Sequence, residues 1–167
     1  MSFSVTVHVS LPKTKFTNKK WKSELQKAMK DAGRDLKGLF QKTVYGWSNK
    51  PRFVASYLNL NNSFFVTVTP EGEYAEQWKL VSLGSPHHRI PKSGYARMKF
   101  RPGYRSATVP GTLLSRRAYR SGKERFASLI VDHPGFEARN FPEMIREEYE
   151  DKFGKNMQDA INEVARK

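Results

Sequence analysis

Cysteine is absent from this chain, which removes disulfides, thiolate zinc sites and cysteine nucleophiles from consideration. Long apolar runs are missing as well: no stretch approaches the ~20 apolar residues that a membrane-spanning helix needs. The opening residues Met1-Ser2-Phe3-Ser4-Val5 lack the basic and then apolar layout of a secretory signal. The expectation is a protein made in a cytoplasm that stays soluble or joins an assembly. Two catalytic patterns are also missing, the Gly-x-Ser-x-Gly nucleophile elbow and the phosphate-binding Gly-x-x-x-x-Gly-Lys. Acidic residues are scarce where a metal-dependent nuclease would need them. Glu76-Gln77-Trp78-Lys79 offers one carboxylate and one lysine, but no acid occurs between Lys79 and Glu124, and such sites need several carboxylates converging on a divalent ion. His87, His88 and His133 raise a zinc site, yet no Cys, Asp or Glu stands at ligand spacing around the first two, and Arg89 opposes a bound cation. They read as turn histidines that hydrogen-bond the backbone. No catalytic, metal or cofactor residue is assigned, and the chain is read as a non-enzyme.

What is present is positive charge. The 167 residues hold 30 Lys and Arg against 16 Asp and Glu, a net charge of +14, which attracts polyanions such as nucleic acid, anionic lipid or an acidic protein face. The balance is +9 over residues 1–60, +7 over 61–135 and −2 over 136–167. From Arg89 to Arg125 eleven basic residues meet one acid, Glu124. These are Arg89, Lys92, Arg97, Lys99, Arg101, Arg105, Arg116, Arg117, Arg120, Lys123 and Arg125, interleaved with Tyr95, Phe100, Tyr104 and Tyr119. Arginine and lysine among aromatics suit phosphate contact with base stacking, and they suit protein interfaces too. The bland alternative is a solvated basic surface, but ordinary surfaces mix the two signs.

The length fits one domain spanning 1–167. Phe3, Val5, Val7 and Val9 alternate with polar residues, predicting a strand or arm within 1–12 that Pro12 ends. Trp21, Leu25, Ala28, Met29, Ala32, Leu36, Leu39 and Phe40 recur at steps of three and four and predict an amphipathic helix over 18–45, capped by Asn18 and stopped at Gly46. Gly33 and Gly38 weaken it by up to ~1 kcal/mol each. Phe53–Leu60 and Phe64–Thr69 read as a hairpin turning at Asn61-Asn62. They open a β-rich region, 53–131. Residues 70–125 read as irregular, with short strands near Arg97–Arg101 and Phe126–Val131 and a long basic loop over 84–125. So long a loop implies function or ordering on assembly. A helix follows over 140–165, with Asn140 and Glu143 as a capping-box variant and an apolar stripe of Phe141, Ile145, Tyr149, Phe153, Met157, Ala160 and Val164. Gly154 predicts a kink or a break. The fold class is therefore α+β: a long N-terminal helix and a C-terminal helix packed on a small antiparallel sheet, with long basic loops.

Three segments carry a resemblance. Trp47-Ser48-Asn49-Lys50-Pro51-Arg52-Phe53 resembles the Trp, Lys-Pro and aromatic after the first helix of one phage family. Leu83-Gly84-Ser85-Pro86-His87-His88-Arg89-Ile90-Pro91-Lys92 resembles its Gly-Thr-x-x-His-x-Ile-x-Pro-Lys stretch. His133-Pro134-Gly135-Phe136-Glu137-Ala138-Arg139-Asn140-Phe141 resembles its His-Pro-Gly, Ala-Arg and helix-opening Phe. The family is the tail-completion or neck component of tailed bacteriophages, similar to minor tail protein Z of lambda-like phages. The match runs in order over about residues 18–165. It departs at Ser85, where Thr is usual, and at Pro142, while the N-terminal strand and Thr108–Lys123 exceed the pattern. The resemblance implies a structural virion protein, assembled in the host cytoplasm, that joins head to tail. It also implies a closed homo-oligomeric ring, hexameric in preference to dodecameric, that surrounds packaged double-stranded DNA and contacts neighbouring neck and tail proteins but no membrane. Trp47, Lys50, Pro51, Phe53, Gly84, His87, Ile90, Pro91, His133, Pro134, Gly135, Arg139 and Phe141 are then architectural, with Arg139 able to reach a carboxylate or a carbonyl. The eleven basic residues from Arg89 to Arg125 become candidates for facing the DNA channel or a partner. The competing expectation is an independent, sequence-nonspecific nucleic-acid-binding protein.

Overall fold

The computed structural model describes residues 4–10, 19–60, 63–90, 98–100, 105–116, 122–123, 125–127 and 131–165. In chain order the elements are β1 (Val5–Ser10), α1 (Lys19–Thr43), β2 (Arg52–Leu60), β3 (Ser63–Glu71), α2 (Ala75–Leu83), β4 (His88–Ile90), β5 (Met98–Phe100), β6 (Arg125–Ala127), β7 (Val131–His133) and α3 (Phe141–Ala165). The fold is α+β. An antiparallel sheet in the order β1-β3-β2 carries α1 and α3, and two short antiparallel pairs, β4-β7 and β5-β6, stand beside it.

Alternation places the core. Along β3, Phe64, Val66, Val68 and Pro70 are buried while the intervening residues are half-buried, the period-two pattern of a strand with one face against helices. β1 runs antiparallel to β3 with Val5 opposite Val68. Phe3, Pro12 and the expected cap Asn18 lie outside the described residues, as does the Asn61-Asn62 corner. Leu60 nonetheless pairs with Ser63, which leaves two residues for the hairpin connection.

The stripe of α1 behaves as its spacing predicts. Leu25, Met29, Ala32, Leu36, Leu39 and Phe40 are buried. Burying such large apolar side chains stabilises by roughly 1.5–3 kcal/mol each, more than two glycines remove. Gly33 has a packing reason. A Cβ there would stand 2.5 Å from the Tyr57 hydroxyl, so the glycine lets β2 lay a tyrosine across the helix. α3 runs antiparallel to α1, because Met157 joins Leu25, Met29, Phe64 and Val66 in one cluster while Phe141, Ile145 and Tyr149 join Leu36, Phe40 and Trp78 in the other. Lys152–Asp35 at 2.8 Å and Lys42–Glu148 at 3.5 Å span the two helices. Exposed pairs of this kind contribute little.

Three expectations are corrected. The region 70–125 is not irregular throughout, because residues 75–83 form α2 with Trp78 fully buried at its centre. The supposed long loop over 84–125 is interrupted by β4 as well as by β5, the strand expected near Arg97–Arg101, and Ala107, Thr108, Leu113 and Ser115 are buried, with Leu113 in the main core. Gly154 does not split α3, since the helix is continuous from Phe141 to Ala165. A glycine costs a long helix only ~1 kcal/mol, which the stripe on either side outweighs.

Candidate functional site

Two places gather the residues that the sequence singles out. The first is the junction between α2 and α3. α2 ends at Gly84, whose φ of 75° is left-handed and whose N–H donates to Leu80 O. The chain then makes an isolated bridge in which Ser85 and Phe136 exchange both backbone hydrogen bonds at 2.9 Å. Glycine is required on both sides. A Cβ on Gly84 would sit 2.5 Å from Ala138 N, and one on Gly135, at φ 82°, would run into Ser85 O and the Pro86 carbonyl. The second and third resemblance segments, some fifty residues apart, thus cross here at backbone contact.

Ser82 fastens the crossing. Its carbonyl accepts from the N–H groups of Arg139 and Asn140 at 3.0 Å each, and its buried hydroxyl accepts from Phe141 N–H at 3.1 Å. The expected capping box is therefore replaced. Asn140 has φ +48°, outside the extended region an N-cap side chain uses, and the first donor of α3 is satisfied from α2 instead. Changing Ser82 to alanine is expected to cost about 1–2 kcal/mol, since a buried helix-start N–H loses its acceptor. A thermal melt should fall by several degrees; a melt identical to the parent's would show the cap to be dispensable.

Around this junction the motif side chains are structural in what they touch. Phe141 stacks on Trp78 at 5.3 Å, and Trp78 stacks on Phe40 at 5.4 Å and meets Phe53 edge-on at 5.8 Å. Trp78 Nε1–H donates to Thr43 Oγ1 at 2.8 Å, and Thr43 donates to Phe40 O. Trp47 packs against this core, and Pro51 is buried beside it in the chain. His88 and His133 face each other across β4-β7 and stack at 5.0 Å. His133 Nδ1 accepts from Gly135 N–H at 3.0 Å, and His88 Nδ1 lies 2.9 Å from Pro86 O. Both bond to backbone as expected, but they sit on strands, β4 and β7, and not in turns; His87 and Pro134 are exposed, Ile90 ends β4, and Pro91 lies outside the described residues. Arg139 is buried and reaches carbonyls rather than a carboxylate, donating to Glu137 O at 2.6 Å and Thr108 O at 3.4 Å. It ties the 105–116 segment to the entrance of α3.

The second place is basic. Of the eleven charge candidates, Arg105, Arg116 and Lys123 are exposed. Arg89 is exposed but paired with Asp132 at 3.0 Å across β4-β7. Lys99 and Arg125 lie on β5 and β6, with Phe100 opposite Arg125 and Lys99 opposite Phe126. Lys92, Arg97, Arg101, Arg117 and Arg120 lie outside the described residues. Arg105 and Arg116 are brought together: with Ser106, Thr108, Val109, Pro110 and Arg139 they line an open concavity of about 850 Å³, and no acid is among the described residues that line it. A second concavity, of about 310 Å³, is lined by Lys37, Gln41, Tyr45, Lys50, Pro51 and Arg52 among others, again without an acid. Lys37 and Tyr45 were not singled out by sequence, and Lys50 only as architecture.

The residues with conventional catalytic chemistry do not converge. Glu76 pairs with Lys79 at 2.6 Å along α2, and among the described residues no three His, Asp or Glu are placed to hold a metal ion. Tyr149, two turns into α3, has its phenol pushed up to about 12 by burial and by nearby Asp35, the behaviour of a core tyrosine. No protein-family model, curated protein or solved structure matches the chain.

Proposed function

We propose that this protein is a structural subunit of a tailed-phage neck, a tail-completion component that joins head to tail and surrounds the DNA path as a homo-oligomeric ring. One observation carries the reading. The three segments that resemble the family are distant in sequence but belong to one framework: Phe53 and Phe141 meet on Trp78, and Gly84-Ser85 crosses Gly135-Phe136. Residues that a family shares for architecture should cluster in this way, in turns and core contacts rather than around a cleft. The positive charge supports the same reading, because a lumen that lets DNA pass benefits from sequence-independent phosphate attraction. A ring also needs a heterologous contact that closes. Exposed apolar side chains such as Leu80, Leu83 and Leu114 supply surface for it.

An independent, sequence-nonspecific nucleic-acid-binding protein is the second reading, favoured by the acid-free concavity of Arg105 and Arg116. The two part on location. Purified, nuclease-treated phage particles are expected to contain the polypeptide in a fixed number of copies, detectable by quantitative mass spectrometry. Its absence from particles, with all of it recovered free in the lysate, would reject the neck assignment.

A further inference from the structure

We infer that the nucleic-acid seat of this protein wraps the C-terminal end of α1, with Lys37, Tyr45 and Lys50 on one flank and Arg105 and Arg116 on the other, and that it takes the phosphate backbone of duplex DNA. The inference rests on the proposed function for the choice of DNA, and it relocates the contact surface from the Arg89–Arg125 run as a whole.

One carbonyl joins the two flanks. Lys42 O accepts from Tyr45 N–H and from Ser115 N–H, each at 3.3 Å. Gly46 N–H in turn donates to the Ser115 hydroxyl, and Arg116 N–H is held by Ala107 O at 2.6 Å. The turn after α1, which carries Tyr45 of the first concavity, and the 105–116 segment, which carries Arg105 and Arg116 of the second, are therefore clamped at one point. Tyr45 is 77% exposed, and Lys50 Nζ stands 5.6 Å from its ring centre, so the ring holds a cation at the rim.

Cations near a helix C-terminus have an ordinary explanation, since they complement the roughly half unit of negative charge at the helix end. Here that role is filled. Lys42 occupies the last turn and is itself paired with Glu148. Among the described residues, Lys37, Lys50, Arg105 and Arg116 have no carboxylate within ion-pair distance. Arg52, in the first concavity, faces Glu71 across β2-β3 and is left out of the count. Four cations around one helix end exceed what the dipole can balance, and the described residues offer them no anion. A duplex offers a charge every ~1.7 Å of its axis along two grooves and ridges, which suits cations spread over two shallow, open concavities. An acidic protein partner would be better served by a pocket that desolvates a single anchor.

The test is binding of a short mixed-sequence DNA duplex, followed by fluorescence anisotropy over a range of salt concentrations. The parent should lose affinity linearly on a log–log plot, by about 0.9 in slope for each phosphate neutralised. The triple variant Lys50→Gln, Arg105→Gln, Arg116→Gln should lower that slope by about 2–3 and weaken binding about tenfold or more near 0.1 M salt. The control triple Lys30→Gln, Arg34→Gln, Lys155→Gln removes the same charge from exposed positions on α1 and α3 and should change the slope by less than about 1. All six residues are exposed, and matching circular dichroism melts confirm folding. Restoring charge with lysine at 105 and 116 should recover most of the slope. Equal losses in the two triples would overturn the seat, as would binding of a polyglutamate peptide that needs these residues while DNA binding does not. Either result can coexist with the protein being found in virions, so the seat and the neck assignment fail separately.

Discussion

Gly135→Ala is expected to destabilise this protein by more than about 3 kcal/mol, and Gly84→Ala by a similar amount, although each adds a single methyl group. A left-handed backbone costs a non-glycine residue about 1–2 kcal/mol by itself. The larger part is steric. The new Cβ at either position meets backbone atoms of the opposite strand, Ser85 and Pro86 in one case and Phe136 and Ala138 in the other, and backbone cannot rotate away as a side-chain tip can. The Ser85–Phe136 bridge would have to open, and Ser82 would be drawn off the start of α3. Two controls sharpen the result. Gly38 and Gly154 have open space where a Cβ would go, so alanine there should be neutral or stabilising by up to ~1 kcal/mol. Thermal melts of the four variants should fall into two classes, and a Gly135→Ala melt within the range of Gly154→Ala would show that the crossing is not built as described.

Trp78→Ala is expected to remove about 3–5 kcal/mol, a large share of the ~5–15 kcal/mol by which domains are usually stable. Trp78 is fully buried and touches Phe40, Phe53 and Phe141 together, so its removal leaves a cavity shared by α1, β2 and α3. Trp78→Phe keeps much of the apolar volume but loses the Nε1–H bond to Thr43. It should cost less, with roughly 1 kcal/mol from the bond and the rest from the space vacated. Urea unfolding measures both variants' costs, since the midpoint should shift with an unchanged slope if only stability alters. Equal costs for the two variants would mean that the indole's volume contributes nothing beyond its hydrogen bond.

Trp78 also marks what the sequence made legible and what it hid. α1 could be read because eight apolar residues keep one stripe, and α3 because Phe141, Ile145, Tyr149 and Met157 do the same; all four of the latter are buried. The hairpin could be read from two β-rich runs flanking Asn61-Asn62. α2 could not. Its buried positions are Ala75, Trp78 and Ser82, while Leu80 and Leu83 are exposed, so its apolar pattern points the wrong way. A serine holds a core position there because its hydroxyl and carbonyl cap another helix, sixty residues further on. The short flanking signals, Gly72 and Gly84, read equally well as loop punctuation. The 105–116 segment was hidden for a related reason. Its burial depends on Ser115 meeting the end of α1, a tertiary contact with no local signature.

The candidate surface was legible by composition and not by place. A run of eleven basic residues announces affinity for a polyanion, but one member, Arg89, is paired with Asp132, while Arg105 and Arg116 share a wall with each other. Lys37 and Lys50 come to the same region from a helix and a turn some sixty residues away. Charge density along a chain is a one-dimensional quantity, and the clamp at Lys42 is what folds it into a surface.

The strand β2 has a consequence for how the molecule behaves in company. It is an outer strand of the sheet, nine residues long, and from Ser56 to Leu60 every residue is exposed, including Tyr57, Leu58 and Leu60. An outer strand of that length with no strand paired beyond it among the described residues is a template for another strand. Mutual repulsion at a net charge of +14 opposes such strand pairing, and that repulsion fades as salt shortens its reach to ~8 Å at physiological strength. Colloidal behaviour and edge chemistry are thus set against each other, and ionic strength holds the balance: the same conditions that loosen a polyanion bring the sticky rims of neighbouring sheets within range.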